Sequence, residues 1–356
     1  MERAVYRIID ANFNRAREAI RVIEDYCRFA LNSASLSERA KQLRHELSAA
    51  INKLDAGKLI SSRDTLGDVG VGRTVDAQLA RSGLNDCFTA SCKRLTEALR
   101  TLAEMSSAVG GQNHSVAETI EKLRFDAYTL EKDIFLFGEP AWKFKHVRLY
   151  VVITSNLPAD IISLAHKCAA GGADCIQMRA KGTNDDMLFA TAVEFVRICK
   201  ASGVLSIIND RVDIAVAAGA DGVHLGQNDL PVEMARKLQL APLIIGKSTH
   251  SLKQLYAACN ESPTYVSLGP VFASGTKPDV QVVGLNYVRE ATGKLAGTGV
   301  SSVAIGGITL ENVTEVLDAG AAAVAVSSGV TKAADATELC RKLKEKIIHH
   351  STVLSA

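Results

Sequence analysis

The sequence predicts an α/β protein in which an all-α helical bundle over residues 1–138 precedes a (β/α)8 TIM barrel over residues 139–356. Three patterns carry that prediction. Up to about residue 138, apolar side chains recur at helical spacing. From residue 147 onward, eight short apolar runs alternate with helix-length segments, the signature of parallel strands joined by helices. The helical part also repeats itself, which makes it a unit of its own.

In the first part, Ile20, Ile23, Cys27 and Leu31 share one helical face. Ser35-Leu36-Ser37-Glu38 has the form of a capping box, in which serine and glutamate satisfy free amides at a helix start. Ser115-Val116-Ala117-Glu118 has the same form. Glu18-Ala19-Ile20-Arg21 matches Glu97-Ala98-Leu99-Arg100, and each box is followed nine residues later by an arginine, Arg44 and Arg124. The spacing from glutamate to box is 17 residues in one copy and 18 in the other. These ordered matches predict a duplicated helical hairpin and hence a four-helix bundle. Glu18, Arg21 and Arg44, with their copies Glu97, Arg100 and Arg124, suit ion pairs on helix surfaces. The connecting segment 61–73 is rich in glycine and holds Arg63, Asp64, Asp68 and Arg73. It lacks the Gly-Lys-Ser/Thr ending of a phosphate loop. It reads either as a flexible connector or as a ligand-binding loop. Pro140 disfavours helix at the residue before it, which sets the end of the helical part.

In the second part the apolar runs are 147–153, 174–178, 204–208, 221–225, 243–246, 265–268, 302–305 and 323–326. Helical segments are predicted at 161–170, 186–202, 232–238, 252–258, 310–319 and 336–348. Eight strand–helix units close naturally into a barrel. No Gly-x-Gly-x-x-Gly follows the first run, which argues against an open dinucleotide-binding sheet.

Composition narrows the function. A net charge of +2 gives no broad case for nucleic acid or an anionic membrane, and 5% aromatic residues weakens a base-stacking role. The expected partners are therefore small molecules, with a homo-oligomer left open. The eight cysteines form no Cys-x-x-Cys pair, and Cys87 and Cys92 have no metal-like set beside them. They read as small apolar residues in a reducing, cytoplasmic compartment. The first residues carry charge where a signal peptide turns apolar, and no apolar run reaches the ~18 residues of a membrane span.

Barrel enzymes work at the C-terminal ends of their strands, where these runs end in polar residues. Gln177, Arg179 and Lys181 alternate, so their side chains can share a direction if the strand continues. Two cations there, with Lys277 from another strand, suit a diphosphate. Asp210 and Asp229 offer oxygen ligands on neighbouring strands, and magnesium takes one or two carboxylates together with substrate phosphates. Asp213 reads instead as a helix N-cap. Gly306-Gly307 and Ser327-Ser328 end the last two runs, where barrels often hold a phosphate on backbone N–H groups. The strand ends thus suit a magnesium diphosphate beside a second phosphate.

The ordered series at 177–181, Asn209-Asp210, 221–229, 246–250, 268–277, 305–308 and Ser327-Ser328 resembles thiamine-phosphate synthase over residues 145–345. That resemblance implies transfer of a hydroxymethylpyrimidine from its diphosphate to a thiazole phosphate. It implies that Gln177, Arg179, Lys181, Asn209, Ser248 and Lys277 hold the pyrimidine diphosphate, with Met178 and Ala180 in the same stretch. It implies Asp210 and Asp229 as Mg2+ ligands, and Ser274, Gly275, Thr276, Gly307, Ser327 and Ser328 at the thiazole phosphate. Arg179, Lys181, Ser248 and Lys277 become the catalytic set. Ser274 stands where the family often has threonine, which keeps the hydroxyl. No protein nucleophile is required, so His224 and His250 are not needed as bases, and His224 reads as structural. A thiazole tautomerase of similar sequence would have no use for the two aspartates or the Arg–Lys set, and a sugar-phosphate epimerase would need an acid–base pair. Residues 1–138 resemble a small helical family found ahead of this synthase and linked to hydroxymethylpyrimidine-phosphate kinase activity. A non-catalytic dimerisation or scaffolding bundle is the alternative.

Overall fold

The computed structural model describes residues 2–31, 33–70, 80–109, 114–238, 241–273 and 281–353. Ser274, Gly275, Thr276 and Lys277, like Arg73, lie outside the described residues. The chain divides into two compact units, Met1–Phe135 and Leu136–Ala356.

The first unit is helical. It contains α1 (Glu2–Asp25), a π-helical turn Tyr26–Ala30, α2 (Ala34–Ile51), α3 (Ala56–Ser61), α4 (Leu84–Ala108) and the greater part of α5 (His114–Lys145). Helix α1 packs along α4 and α2, burying Ile9, Ile20, Leu47, Leu99 and Leu102. Ion pairs from Arg39 to Asp133 and from Lys93 to Glu131 tie α5 to α2 and α4.

Both capping boxes are corrected. The N-cap of α2 is Ser33, whose hydroxyl accepts from Leu36 N, so Ser35 is already inside the helix. Ser115 lies inside α5, where its carbonyl accepts from Thr119 at 2.7 Å. The repeated arginines do form ion pairs, but with other acids. Arg44 meets Glu24 at 3.1 Å and Arg124 meets Glu121 at 2.6 Å, while Glu18 and Glu97 are exposed. The segment after α3 is tied to α1: Arg63 forks onto Asp10 at 2.7 and 2.8 Å, and Arg7 bonds the Asp64 carbonyl.

Helix α5 runs through Pro140 instead of ending before it. A proline interrupts a helix by removing one N–H and crowding the preceding turn. Here the turns beyond it bury Phe144, whose ring stacks on Tyr265 at 4.0 Å and 7°. That burial offsets the lost hydrogen bond.

The second unit is a closed, all-parallel eight-stranded barrel in the order β1 to β8. The strands are β1 (Leu149–Thr154), β2 (Cys175–Arg179), β3 (Leu205–Asn209), β4 (Gly222–Leu225), β5 (Ile244–Thr249), β6 (Tyr265–Leu268), β7 (Ser301–Ile305) and β8 (Val324–Val326). The helices between and after them are α6 (Pro158–Ala170), α7 (Asp185–Ala201), α8 (Val212–Ala218), α9 (Val232–Leu238), α10 (Leu252–Asn260), α11 (Gly284–Leu295), α12 (Val313–Asp318), α13 (Ser328–Thr331) and α14 (Ala336–Val353). Helices α11 and α13 were not predicted. Asp213 is not the N-cap: it sits in the first turn of α8, whose N-cap is Arg211, and pairs with that arginine at 2.6 Å.

Strand alternation gives two apolar layers. Side chains such as Ile153, Ile176, Val223 and Val266 pack outward against the helices. Tyr150, Val152, Cys175, Ile207, Ile244, Tyr265 and Val303 fill the barrel interior, with Phe144. All eight cysteines are free thiols, and burial pushes Cys27 and Cys92 up to about 12, which keeps them un-ionised and inert. Among the described residues no helix is long and apolar enough to cross a membrane.

Glycine at 246 has a steric cause. A Cβ there would run into the Tyr265 ring, and the buried phenol has nowhere to retreat. Gly246→Ala should lower the unfolding free energy by about 1–3 kcal/mol, the usual cost of overpacking a core. Urea denaturation measures this; an unchanged midpoint would contradict the packing account.

Candidate active site

A cavity of about 380 Å3 opens at the C-terminal ends of the barrel strands. Of the predicted site residues within the described part, Gln177, Arg179, Lys181, Asn209, Asp210, Asp229, Ser248, Gly307, Ser327 and Ser328 all line it. Met178 and Ala180 do not. Alternation along β2 turns Met178 into the layer between strands and helices, and Ala180 packs against that same layer.

One side of the cavity is charged. Asp210 follows the last residue of β3 with φ 62°, a left-handed conformation that aspartate tolerates better than most residues. Its N–H donates to the His224 carbonyl at 2.8 Å, so the turn hooks β3 to β4. Lys181 Nζ lies 3.3 Å from an Asp210 oxygen. Asp229 accepts the Gly226 N–H at 2.6 Å, and Lys247 Nζ donates to the Gly226 carbonyl at 2.9 Å. Lys247 thereby braces the loop that carries Asp229.

The two carboxylates interact. Burial, then the hydrogen bond to Asp229, pushes the Asp210 carboxyl above the usual aspartate range, although Lys181 opposes this. Burial alone would raise Asp229 too, but the hydrogen bonds from Asp210 and from Gly226 N–H hold it below that range. Two neighbouring carboxylates disfavour each other's ionised form. A bound hard divalent cation would relieve that repulsion. Among the described residues no cluster of three or more His, Cys, Asp and Glu side chains could cage a metal. The donor set therefore fits magnesium, which takes one or two carboxylates and completes its shell with phosphate and water.

The other side is built from backbone. Gly306 and Gly307 have φ of 107° and 63°, and a Cβ on either would strike the β6 loop at Pro270 or Phe272. Asn312 holds the turn by donating to the Gly307 carbonyl at 2.9 Å. Ser327 lines this side as well, with its hydroxyl donating to the Val152 carbonyl at 2.8 Å. That proton links β8 to β1 and is not offered to the cavity. Ser328 and Gly329 also line this side.

The floor was not foreseen. Gln177 Nε2 donates to Tyr150 Oη at 2.8 Å, and the Tyr150 and Tyr265 hydroxyls bond at 2.9 Å. His224 Nδ1 meets Tyr265 Oη at 2.9 Å and its Nε2 meets Ser248 Oγ at 2.9 Å. Tyr150 and Tyr265 fell inside apolar runs, where nothing in spacing separates a polar phenol from a hydrophobe. His224 is structural in that it bonds two side chains, but it also lines the cavity.

A family profile described as thiamine monophosphate synthase matches residues 149–330, and one described as the ThiD2 family matches residues 7–133. The thiamine-phosphate synthase of Nostoc punctiforme is 35% identical over 98% of this chain and 95% of its own length. That of Rhodopirellula baltica is 37% identical over 92% of this chain and 88% of its own. The chain belongs to the thiamine-phosphate synthase family. The solved thiamine phosphate pyrophosphorylase of Pyrococcus furiosus is 32% identical with a TM-score of 0.54, and the match covers 59% of this chain and 98% of that one. The barrel is accordingly the part shared with that smaller synthase. Similarity to the longer relatives runs through both parts of the chain, and its activity is that of a transferase, thiamine-phosphate synthase.

Proposed function

We propose that the barrel transfers a hydroxymethylpyrimidine from its diphosphate to the ring nitrogen of a thiazole phosphate, with Asp210 and Asp229 holding Mg2+. The observation that supports this reading is one cavity lined by charged side chains from some strand ends and by glycine and serine turns from others. Asp210, Asp229, Arg179 and Lys181 stand on one side, and Gly306, Gly307 and Ser328 on the other.

Arg179 and Lys181 face the diphosphate, the arginine through a planar fork and the lysine as a point charge. As the methylene C–O bond breaks, both bonding electrons leave with the diphosphate. The cations stabilise the growing charge where it appears, and such pre-placed charges contribute more in a closed cavity than in water. Bound Mg2+ would add Lewis-acid neutralisation of the departing group. The glycine turn and Ser328 hold the thiazole phosphate through main-chain N–H groups, so the thiazole nitrogen is kept close to the carbon it attacks. Its lone pair forms the new C–N bond, and no protein group needs to take a proton. Lys277, Ser274, Gly275 and Thr276 join this reading by resemblance alone. The eight free thiols support a cytoplasmic location.

For the helical unit we infer pyrimidine-phosphate kinase activity, which would supply the barrel's diphosphate substrate. The match to the ThiD2 family over residues 7–133 supports it. A scaffolding role is favoured by a different observation: Arg44, Arg100 and Arg124 are engaged by Glu24, Glu104 and Glu121.

Asp210→Ala should reduce magnesium-dependent thiamine phosphate formation by at least a hundredfold, the scale of losing one pre-placed charge stabiliser. Full activity in this variant would remove the metal assignment. The same barrel-inactive full-length variant, given ATP and pyrimidine monophosphate, should accumulate the pyrimidine diphosphate, detected by phosphorus NMR. No diphosphate would leave the scaffold reading.

A further inference from the structure

The cavity floor contains a hydrogen-bond chain that the reaction chemistry does not call for. It runs from Gln177 through Tyr150, Tyr265 and His224 to Ser248, drawing one residue from each of β2, β1, β6, β4 and β5. Its two ends are residues assigned above to the pyrimidine diphosphate. Its middle is buried: Tyr150 is 2% exposed and Tyr265 is 0% exposed. Burial holds both phenols un-ionised. From below, Phe144 stacks flat on Tyr265 and meets Tyr150 edge-on at 6.4 Å.

The chain can carry one consistent direction. An amide nitrogen can only donate, so Tyr150 accepts from Gln177. Continued the same way, Tyr150 donates to Tyr265, Tyr265 to His224 Nδ1, and His224 Nε2–H to Ser248. In that polarity the hydroxyl proton of Ser248 is left for a ligand. At the other end, Gln177 has given an N–H to the floor, and its carbonyl oxygen makes no hydrogen bond among the described residues.

We propose that Tyr150, Tyr265 and His224 are positioning residues that fix Gln177 as an acceptor and Ser248 as a donor before the pyrimidine arrives, with Phe144 holding Tyr265 in place. The ligand this arrangement fits offers a donor to Gln177 and an acceptor to Ser248, as an amino group and a ring nitrogen do. The proposal rests on the assignment of Gln177 and Ser248 to the pyrimidine. It adds that their orientation is imposed from beneath. A site whose polar groups are fixed beforehand rejects a mismatched edge strongly, since the mismatch leaves buried groups unpaired.

The test uses the full-length enzyme and steady-state kinetics in both substrates. Tyr265→Phe cuts the chain while keeping the ring, its stack on Phe144 and its volume. It should raise KM for the pyrimidine diphosphate about tenfold or more, a loss typical of a broken buried hydrogen bond, and leave KM for the thiazole phosphate unchanged. Phe144→Leu should move the same constant in the same direction by a smaller factor. Equal rises in both KM values, or none, would overturn the positioning role. Gln177→Ala and Ser248→Ala separate the two levels: if they too leave the pyrimidine KM unchanged, the subsite assignment has failed and the proposal with it. If they raise it and Tyr265→Phe does not, the positioning network alone is wrong. Nitrogen-15 NMR of the unliganded wild-type enzyme reads the direction without any mutation. A proton on His224 Nε2 is expected, and a proton on Nδ1 would overturn the stated polarity.

Discussion

Two tyrosine hydroxyls sit inside a largely apolar barrel interior, and much of the second unit is arranged around keeping them bonded. A buried hydroxyl without a partner costs roughly 2–7 kcal/mol relative to water on transfer scales. Tyr150 and Tyr265 avoid that cost by bonding each other and by reaching Gln177 and His224. The constraint spreads outward from there. Gly246 must lack a side chain so that the Tyr265 ring can cross the interior. The parallel register must bring β4, β5 and β6 level, which it does with His224 opposite Gly246 and Gly246 opposite Tyr265. Phe144 must cover the Tyr265 ring from below, which is why α5 continues past Pro140. Above the same floor, the ends of the strands carry the charged and glycine-lined halves of the cavity. Packing and function meet in one layer of side chains.

The chemistry is divided by the kind of group each strand end can supply. Beta strands two to four end in side chains that carry charge, and the carboxylates there are hooked into place by main-chain bonds, Asp210 through His224 O and Asp229 through Gly226 N. Strands seven and eight end in turns whose glycines leave the backbone open to an anion. A magnesium diphosphate and a phosphate monoester differ in the same way: one needs formal charge and metal ligands, the other is served by N–H dipoles. The helical unit spends its arginines differently, on carboxylates within its own helices.

Much of this was legible in the sequence. The eight apolar runs became the eight strands, because parallel strands buried on both faces read as continuous hydrophobic stretches. Asp210 and Asp229 line the cavity, as polar residues in the turns that follow such runs are placed to do. Met178 and Ala180 turn their side chains to the helix layer, as a period of two dictates, so only their main chain can face the cavity. What failed did so for local reasons. Ser35 and Ser115 had the letters of a capping box, but Ser33 is better placed for α2 and α5 starts before Ser115. Helix α11 was overlooked although Tyr287, Val288, Ala291 and Leu295 mark its buried face at helical spacing. The phenol–imidazole floor could not be read at all. It depends on side chains up to 115 residues apart in sequence, and only the closed barrel brings them together.

The central claim is that the charged half of the cavity recognises a diphosphate together with a divalent cation. Calorimetric titration of inorganic pyrophosphate into the full-length protein tests it most directly, once with Mg2+ present and once in EDTA. The account predicts binding with Mg2+ that weakens by at least an order of magnitude in EDTA, since Asp210 and Asp229 then face the anion as bare negative charges. Equal affinity in the two titrations would contradict it.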